Sequence, residues 1–196
     1  MTFQQLLSRL DTLLQQHRPE YYATLAPPAT ATELDALEAA FQLKLPTELR
    51  QWYGWHNGHL ESKSIFQNHE FIQGNSLAPL SSVAESMRVN CELLAAGEYF
   101  MPNWWQTNWV PFLENGGGDH ICLDLEGTFT GQPGQVLEQW HDMEQRTVLF
   151  PDLTAWLRAV VQAYEQAGAQ GQLTDEQTED LELEYPSGFP LAFEAG

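Results

Sequence analysis

The chain has 196 residues, 43 % of them hydrophobic and 12 % aromatic. That is enough for one folded core without disulfide or metal staples, and too apolar for a disordered chain. Eight Lys and Arg stand against 27 Asp and Glu, a formal charge of −19, which excludes the clustered positive charge needed on nucleic-acid phosphates or anionic membranes.

The first element predicted is an amphipathic helix with Phe3, Leu6, Leu7, Leu10, Leu13 and Leu14 on one face, closed by Pro19. A Pro/Ala/Thr linker over Leu25 to Thr30 leads to a second helix. Thr32 is its predicted N-cap, with Asp35 three residues on and Leu34, Leu37 and Phe41 as its stripe. Leu45-Pro46 breaks that helix and opens another, which turns Leu49, Trp52 and Tyr53 to the core before Asn57-Gly58 turns the chain out. Short strands are expected around Ile65-Phe66 and Glu70–Ile72, then a Gly74-Asn75 turn. A helix capped by Ser81 or Ser82 runs to about Ala96.

The texture then becomes aromatic and extended, through Tyr99, Trp104-Trp105 and Trp109-Val110-Pro111-Phe112. Gly116-Gly117-Gly118 reads as a turn. Ile121, Leu123 and Leu125 alternate as in a half-buried strand. Gly127 to Gly134 forms a loop, Val136 to His141 a returning strand, and Pro151-Asp152 opens a last helix carrying Trp156, Leu157, Val160 and Tyr164. Beyond Gly168, Thr174 to Glu184 is dense in carboxylates and reads most simply as a solvated tail, although Leu181 and Leu183 alternate with Glu182 and Glu184 as in a docked strand. Helices first, strands in the middle and a helix last predict an α+β fold with an antiparallel sheet. The expected divisions are an N-terminal helix at 1–25, an α+β domain at 26–168 and an acidic tail at 169–196. The start lacks a basic segment followed by an apolar one, and no run is long enough to span a membrane, so a cytoplasmic protein with Cys91 and Cys122 as free thiols is expected.

Several residues invite a chemical reading. Gly116 to Gly118 has no following Lys or Ser/Thr at phosphate-loop spacing, and Asp119 would repel a phosphate. Asp119, His120, Asp124 and His141 suggest a metal or acid–base site. Yet His120 and Asp124 lie about 13 Å apart along a strand at roughly 3.3 Å per residue. If the two strands pair, His120 sits across from His141. No metal, cofactor or nucleophile is assigned: there is no Gly-x-Ser-x-Gly elbow, and Cys122 falls in mid-strand. Trp104 and Trp105 are adjacent, so in extended chain they point to opposite faces, and Trp55 is a further aromatic of interest.

Three stretches together resemble the SUKH superfamily, named for the fungal cell-wall assembly regulator and its viral and bacterial relatives. They are Leu45-Pro46-x-x-Leu49-x-x-Trp52-Tyr53 running to Asn57-Gly58, Trp109 to Phe112 followed by Gly116 to Asp124, and Gly134-Gln135-Val136 leading to His141 and then Trp156-Leu157. The resemblance covers roughly residues 30 to 165. It implies an α+β fold with a central antiparallel sheet, no cofactor, and a protein-binding role. That role is either that of an immunity protein neutralising a nuclease-type toxin or that of a regulatory adaptor. The expected working surface is acidic, with Glu114, Asp119 and Asp124 as contact carboxylates and Trp104 or Trp105 as anchor. The expected partner is a basic protein, whose approach the net charge would speed roughly 10- to 10³-fold.

Overall fold

A computed structural model describes residues 1–60, 70–99 and 101–195. The helices are α1 (Phe3–His17), α2 (Pro19–Tyr22), α3 (Ala31–Phe41), α4 (Thr47–Tyr53), α5 (Leu80–Ala96), α6 (Leu153–Gly168) and α7 (Asp175–Glu179). The strands are β1 (Glu70–Ile72), β2 (Asn75–Leu77), β3 (Trp109–Glu114), β4 (His120–Asp124), β5 (Gln135–Gln139), β6 (Gln145–Phe150) and β7 (Leu191–Glu194). They form one seven-stranded sheet in sequential order, each strand antiparallel to the next. The expected α+β class with an antiparallel sheet is what the chain adopts. The strand expected around Ile65-Phe66 lies outside the described residues. Among those residues no helix is long and apolar enough to cross a membrane.

Helices cover both faces of the sheet's centre, so all five residues of β4 are buried rather than alternate ones. On one face Phe112 packs edge-on against Trp156 of α6 at 4.9 Å, and Trp156 against Trp52 of α4 at 5.3 Å. Phe112 lies where the β3–β4 register shifts between Pro111 and Leu113. A bulge there accommodates a proline that an uninterrupted inner strand would not tolerate. On the other face, α5 and the segment 101–108 lie over β3 and β4: Ser86 meets His120, and Trp105 packs edge-on to His120 at 6.2 Å.

The helix starts differ from those expected. The cap of α3 is Thr30: its hydroxyl accepts from Glu33 N–H at 3.2 Å while the Glu33 carboxylate accepts from Thr30 N–H at 2.7 Å. Thr32 lies inside the helix, because the longer Glu33 side chain closes a capping box at Thr30. Neither Ser81 nor Ser82 caps α5. Its first residue, Leu80, donates its N–H to Asn57 Oδ1 at 2.8 Å, so a side chain from a distant turn satisfies the helix end. Gly58 beside it has φ +73, and a Cβ there would stand 2.8 Å from Pro79, so this close approach requires glycine.

The segment after Gly168 does not run free in solvent as expected. Arg18, itself buried, pairs with Asp175 and donates to the Tyr164 hydroxyl at 3.1 Å. Gln73 N–H and side chain donate to Thr178 O and Leu181 O, at 3.0 and 2.9 Å. Leu181 and Leu183 are buried, and β7 extends the sheet beyond β6. Burial of those two leucines outweighs the solvation of the intervening carboxylates, which stay on the outside.

Candidate functional site

Two turns meet at one end of the sheet. The β3–β4 turn is built on Asn115, whose Oδ1 accepts from Gly117 N–H at 2.8 Å and Asp119 N–H at 3.2 Å. Gly116 and Gly118 adopt φ +74 and +102 to close it. Asp119 then crosses to the β5–β6 turn. Its Oδ1 accepts from the backbone N–H of His141 and lies 2.8 Å from His141 Nδ1, while Oδ2 accepts from Asn115 Nδ2 at 2.7 Å. Burial pushes the Asp119 carboxyl up, but the hydrogen bonds from His141 and Asn115 outweigh it and hold it below the usual aspartate value. Hydrogen bonding to Asp119 raises the pKa of His141, which favours its charged form beside that carboxylate.

This pairing replaces the expected one, since His120 sits opposite Gln139 in the β4–β5 register. His120 Nδ1 lies 3.2 Å from Gln139 Oε1 and Nε2 lies 3.2 Å from Ser86 Oγ. Burial lowers its pKa and keeps it neutral. Asp119, His141 and Asp142 can each place one ligand atom within 4.8 Å of the others. Asp119 Oδ1 and His141 Nδ1 already engage one another, and Asp119 Oδ2 accepts from Asn115, so both residues have structural partners of their own.

The anticipated contact residues separate into two groups. Glu114 is part-buried beside the turn, where its carboxylate accepts from Ser82 Oγ. Asp119 lies behind His141. Trp104 is half-buried, stacked on Tyr99 at 6.1 Å between ring centroids. Asp124 and Trp105 have 0 % of their surface exposed, and their expected contact roles are corrected accordingly. Trp105 packs edge-on to Trp109 at 5.8 Å under the 101–108 segment. Asp124 takes five donors at the far end of β4. Asn108 Nδ2, Glu126 N–H and Gly127 N–H reach its Oδ1 at 2.7, 3.1 and 3.0 Å, and Thr128 N–H and Gln135 Nε2 reach its Oδ2 at 2.6 and 2.8 Å. A carboxylate saturated in this way organises a loop and has nothing left to offer a partner. Cys122 is likewise fully buried, its thiol pushed far up by burial, which removes it as a nucleophile. Trp55 donates its indole N–H to Asp11 at 2.8 Å, away from these turns.

Grooves flank the sheet end on both sides. On the α5 side, a groove of about 630 Å³ runs between that helix and the wall formed by Tyr99, Trp104, Glu114 and His141. On the α7 side, a smaller one of about 310 Å³ is lined by Asp119, Glu138, Glu179, Trp140 and Tyr185. Burial raises the Glu138 carboxyl, opposed by a hydrogen bond from the Trp140 indole and reinforced by the Asp119 charge. Trp140 and Met143 are large exposed side chains on the β5–β6 turn. Among the described residues no Lys or Arg pairs with Glu114, Asp119, Glu138, Asp142 or Glu144. A third cavity, about 510 Å³, lies at the opposite strand ends. It is lined by Lys44 and Arg158 as well as Glu48 and Asp152.

Sequence reasoning missed Val89 and Leu93, which are 37 % exposed on the groove face of α5, and Glu138 with Trp140 on the other side. A signal existed for the first pair. Leu80, Val83 and Met87 already supply the buried stripe of α5, so an apolar pair four residues apart outside it marks a second face.

Comparison with known proteins agrees with this architecture. The model of the SMI1 / KNR4 family (SUKH-1) matches residues 28–159. A KNR4/SMI1 homolog from Yarrowia lipolytica is 23 % identical over 227 residues, covering 88 % of this chain and 31 % of that protein, so the chain spans about a third of that relative's length. With the matched region running from the linker before α3 into α6, and so taking in β1 to β6 and both turns of the candidate site, the chain belongs to the SMI1/KNR4 (SUKH-1) family of the SUKH superfamily.

Proposed function

We propose that this is a non-catalytic protein-binding domain that docks its acidic sheet end onto a basic surface of another polypeptide, and that the partner is a nuclease-type toxin whose basic cleft it occludes. The observation that carries this reading is the collection of carboxylates around the two turns, Glu114, Asp119, Glu138, Asp142 and Glu144, which no Lys or Arg of the described residues pairs. Elsewhere some acids have cation partners, such as Glu38 with Lys44 and Arg50 and Glu165 with Arg9, while others, such as Glu182 and Glu184, have none among the described residues. Asp119 is matched by His141, and the other carboxylates, of one sign at one end, create a field that an opposite charge relieves. Exposed Trp140 and Met143 supply apolar area among those charges, the mixture expected at a docking surface.

In this reading the carboxylates take the positions that substrate phosphates occupy on the toxin. Charge sets the approach rate, and buried apolar contacts set the dissociation rate. The test is association of the purified domain with a candidate toxin, followed by biolayer interferometry between about 50 and 500 mM salt, where the Debye length shortens from over 10 Å to a few Å. The association rate is expected to fall at least tenfold across that range, and equimolar domain is expected to abolish nuclease activity. A rate indifferent to salt would refute charge-led docking. Salt-dependent binding that leaves nuclease activity intact would remove the toxin assignment and favour an adaptor role.

A further inference from the structure

The groove on the α5 side has two chemically different halves. Towards the C-terminal part of α5, Val89 and Leu93 are exposed and face the stacked pair Tyr99 and Trp104. Towards its N-terminal part, Glu85 and Glu114 stand on opposite walls. Glu85 shares Arg88 with Glu92, a set whose net charge is −1, and Arg88 itself does not line the groove. Among the described residues no Lys or Arg lines it, and the His141 that does is matched by Asp119.

The aromatic wall is fixed from behind by a buried cation. Arg146 has 0 % exposure, yet among the described residues no carboxylate pairs with it. Its guanidinium donates to the backbone carbonyls of Met143, Gln145 and Trp104, the last at 3.0 Å, and lies 5.0 Å from the Trp104 ring centroid. Its Nε has no acceptor among the described residues. Burying an arginine on carbonyls alone, with one donor unmet, is unfavourable for folding. It does hold the Trp104 segment in place before any ligand arrives, which lowers the ordering cost of binding.

We propose that this groove binds a segment of the protein partner that carries an apolar anchor side chain and an arginine or lysine about 6 to 12 Å from it, the spacing of Val89 and Leu93 from Glu85 at 1.5 Å rise per residue. The anchor lies between Leu93 and Trp104, and the cation lies between Glu85 and Glu114. The proposal rests on the docking reading above and narrows it to one groove and one pattern of side chains. A lysine or arginine without an apolar neighbour, or an apolar residue beside an acid, lacks one of the two contacts.

The test uses the full chain labelled with ¹⁵N and with ¹³C at valine and leucine methyls. The probes are acetylated twelve-residue peptides with one leucine and one arginine two or three residues apart in extended chain, against controls in which the arginine is glutamate or the leucine is serine. Saturable shifts are expected at the Val89 and Leu93 methyls and the Trp104 indole, with affinity at least tenfold weaker for either control and for the Val89→Lys, Leu93→Lys double variant. Both positions are exposed, so the variant keeps its fold, which the remaining methyl spectrum verifies. Absence of shifts at these three residues with every probe overturns the proposal, as does equal binding of the controls. A basic protein partner that binds with salt dependence but is indifferent to the double variant overturns the groove assignment alone. Failure of both partner and peptides removes the docking reading with it.

Discussion

Replacing Asp124 by Asn tests the division between buried scaffold and exposed surface. The two side chains have the same shape, so packing is unchanged and only the acceptor count falls. Asp124 presents two oxygens to five donors within 3.1 Å. An amide nitrogen in place of Oδ2 leaves Thr128 N–H and Gln135 Nε2 facing a donor, and in place of Oδ1 it leaves three donors facing one. Each buried donor left without an acceptor costs about 1 to 3 kcal/mol. With the less damaging orientation and some relaxation of Gln135, a loss of about 3 kcal/mol is expected. For a chain of this length that lowers Tm by roughly 6 to 12 °C. Urea unfolding and thermal melts of Asp124→Asn measure it, with exposed Asp142→Asn as control, expected within about 0.5 kcal/mol of the parent. If Asp124→Asn leaves stability within about 0.5 kcal/mol and instead slows association with a partner, the assignment of Asp124 to the scaffold is wrong.

Other perturbations follow from the same geometry. Leu181→Ala and Leu183→Ala are expected to destabilise by about 2 kcal/mol each in urea melts, since both are buried; a solvated tail would give no change. Asn57→Ala removes the acceptor for the first N–H of α5 and should cost about 1 kcal/mol, whereas Ser81→Ala should be near neutral. Arg146→Lys keeps the charge but loses the planar fork that reaches three carbonyls, so amide exchange over residues 101–108 should accelerate at least tenfold, and unchanged protection there would contradict its holding role.

His141 carries the pH prediction. Its pKa is raised in the folded chain, so the pair's contribution is full below the unfolded value of about 6.5 and fades as pH rises through the folded one. Asp119 is depressed, so its share is present above about 3.9 and is lost as pH falls through its folded value. NMR titration should show the His141 midpoint falling in Asp119→Asn, and an unmoved midpoint would break the pairing.

How far the residues announced these features depends on whether the cause is local. Apolar spacing places α1 and α6 because Leu6, Leu10 and Leu13, or Trp156, Val160 and Tyr164, repeat with the helix itself. The family motifs at Leu45-Pro46, Trp109 to Phe112 and Gly116 to Asp124 likewise sit on the helix, the strand and the hairpin that they suggested. What escaped is set at a distance. The cap of α5 comes from Asn57, 23 residues away. Asp124 is buried because the amides of residues 126–128 fold back over it. The alternation of Leu181 and Leu183 is a weak signal beside the surrounding acids, and only the open surface next to β1 and β6 decides that the segment docks. Trp104 and Trp105 do take different environments, but in a run of turns held by Arg146 rather than along a strand, so the reason given for their separation was not the operative one.

The central claim is that the acidic end of the sheet is the surface that meets a partner. Hydrogen–deuterium exchange of the domain, free and bound to a basic protein that it captures, measures this directly. The account predicts new protection confined to residues 115–119, residues 140–144 and the groove face of α5. Protection centred instead on Lys44, Arg158 and the start of α6, at the opposite strand ends, would contradict it.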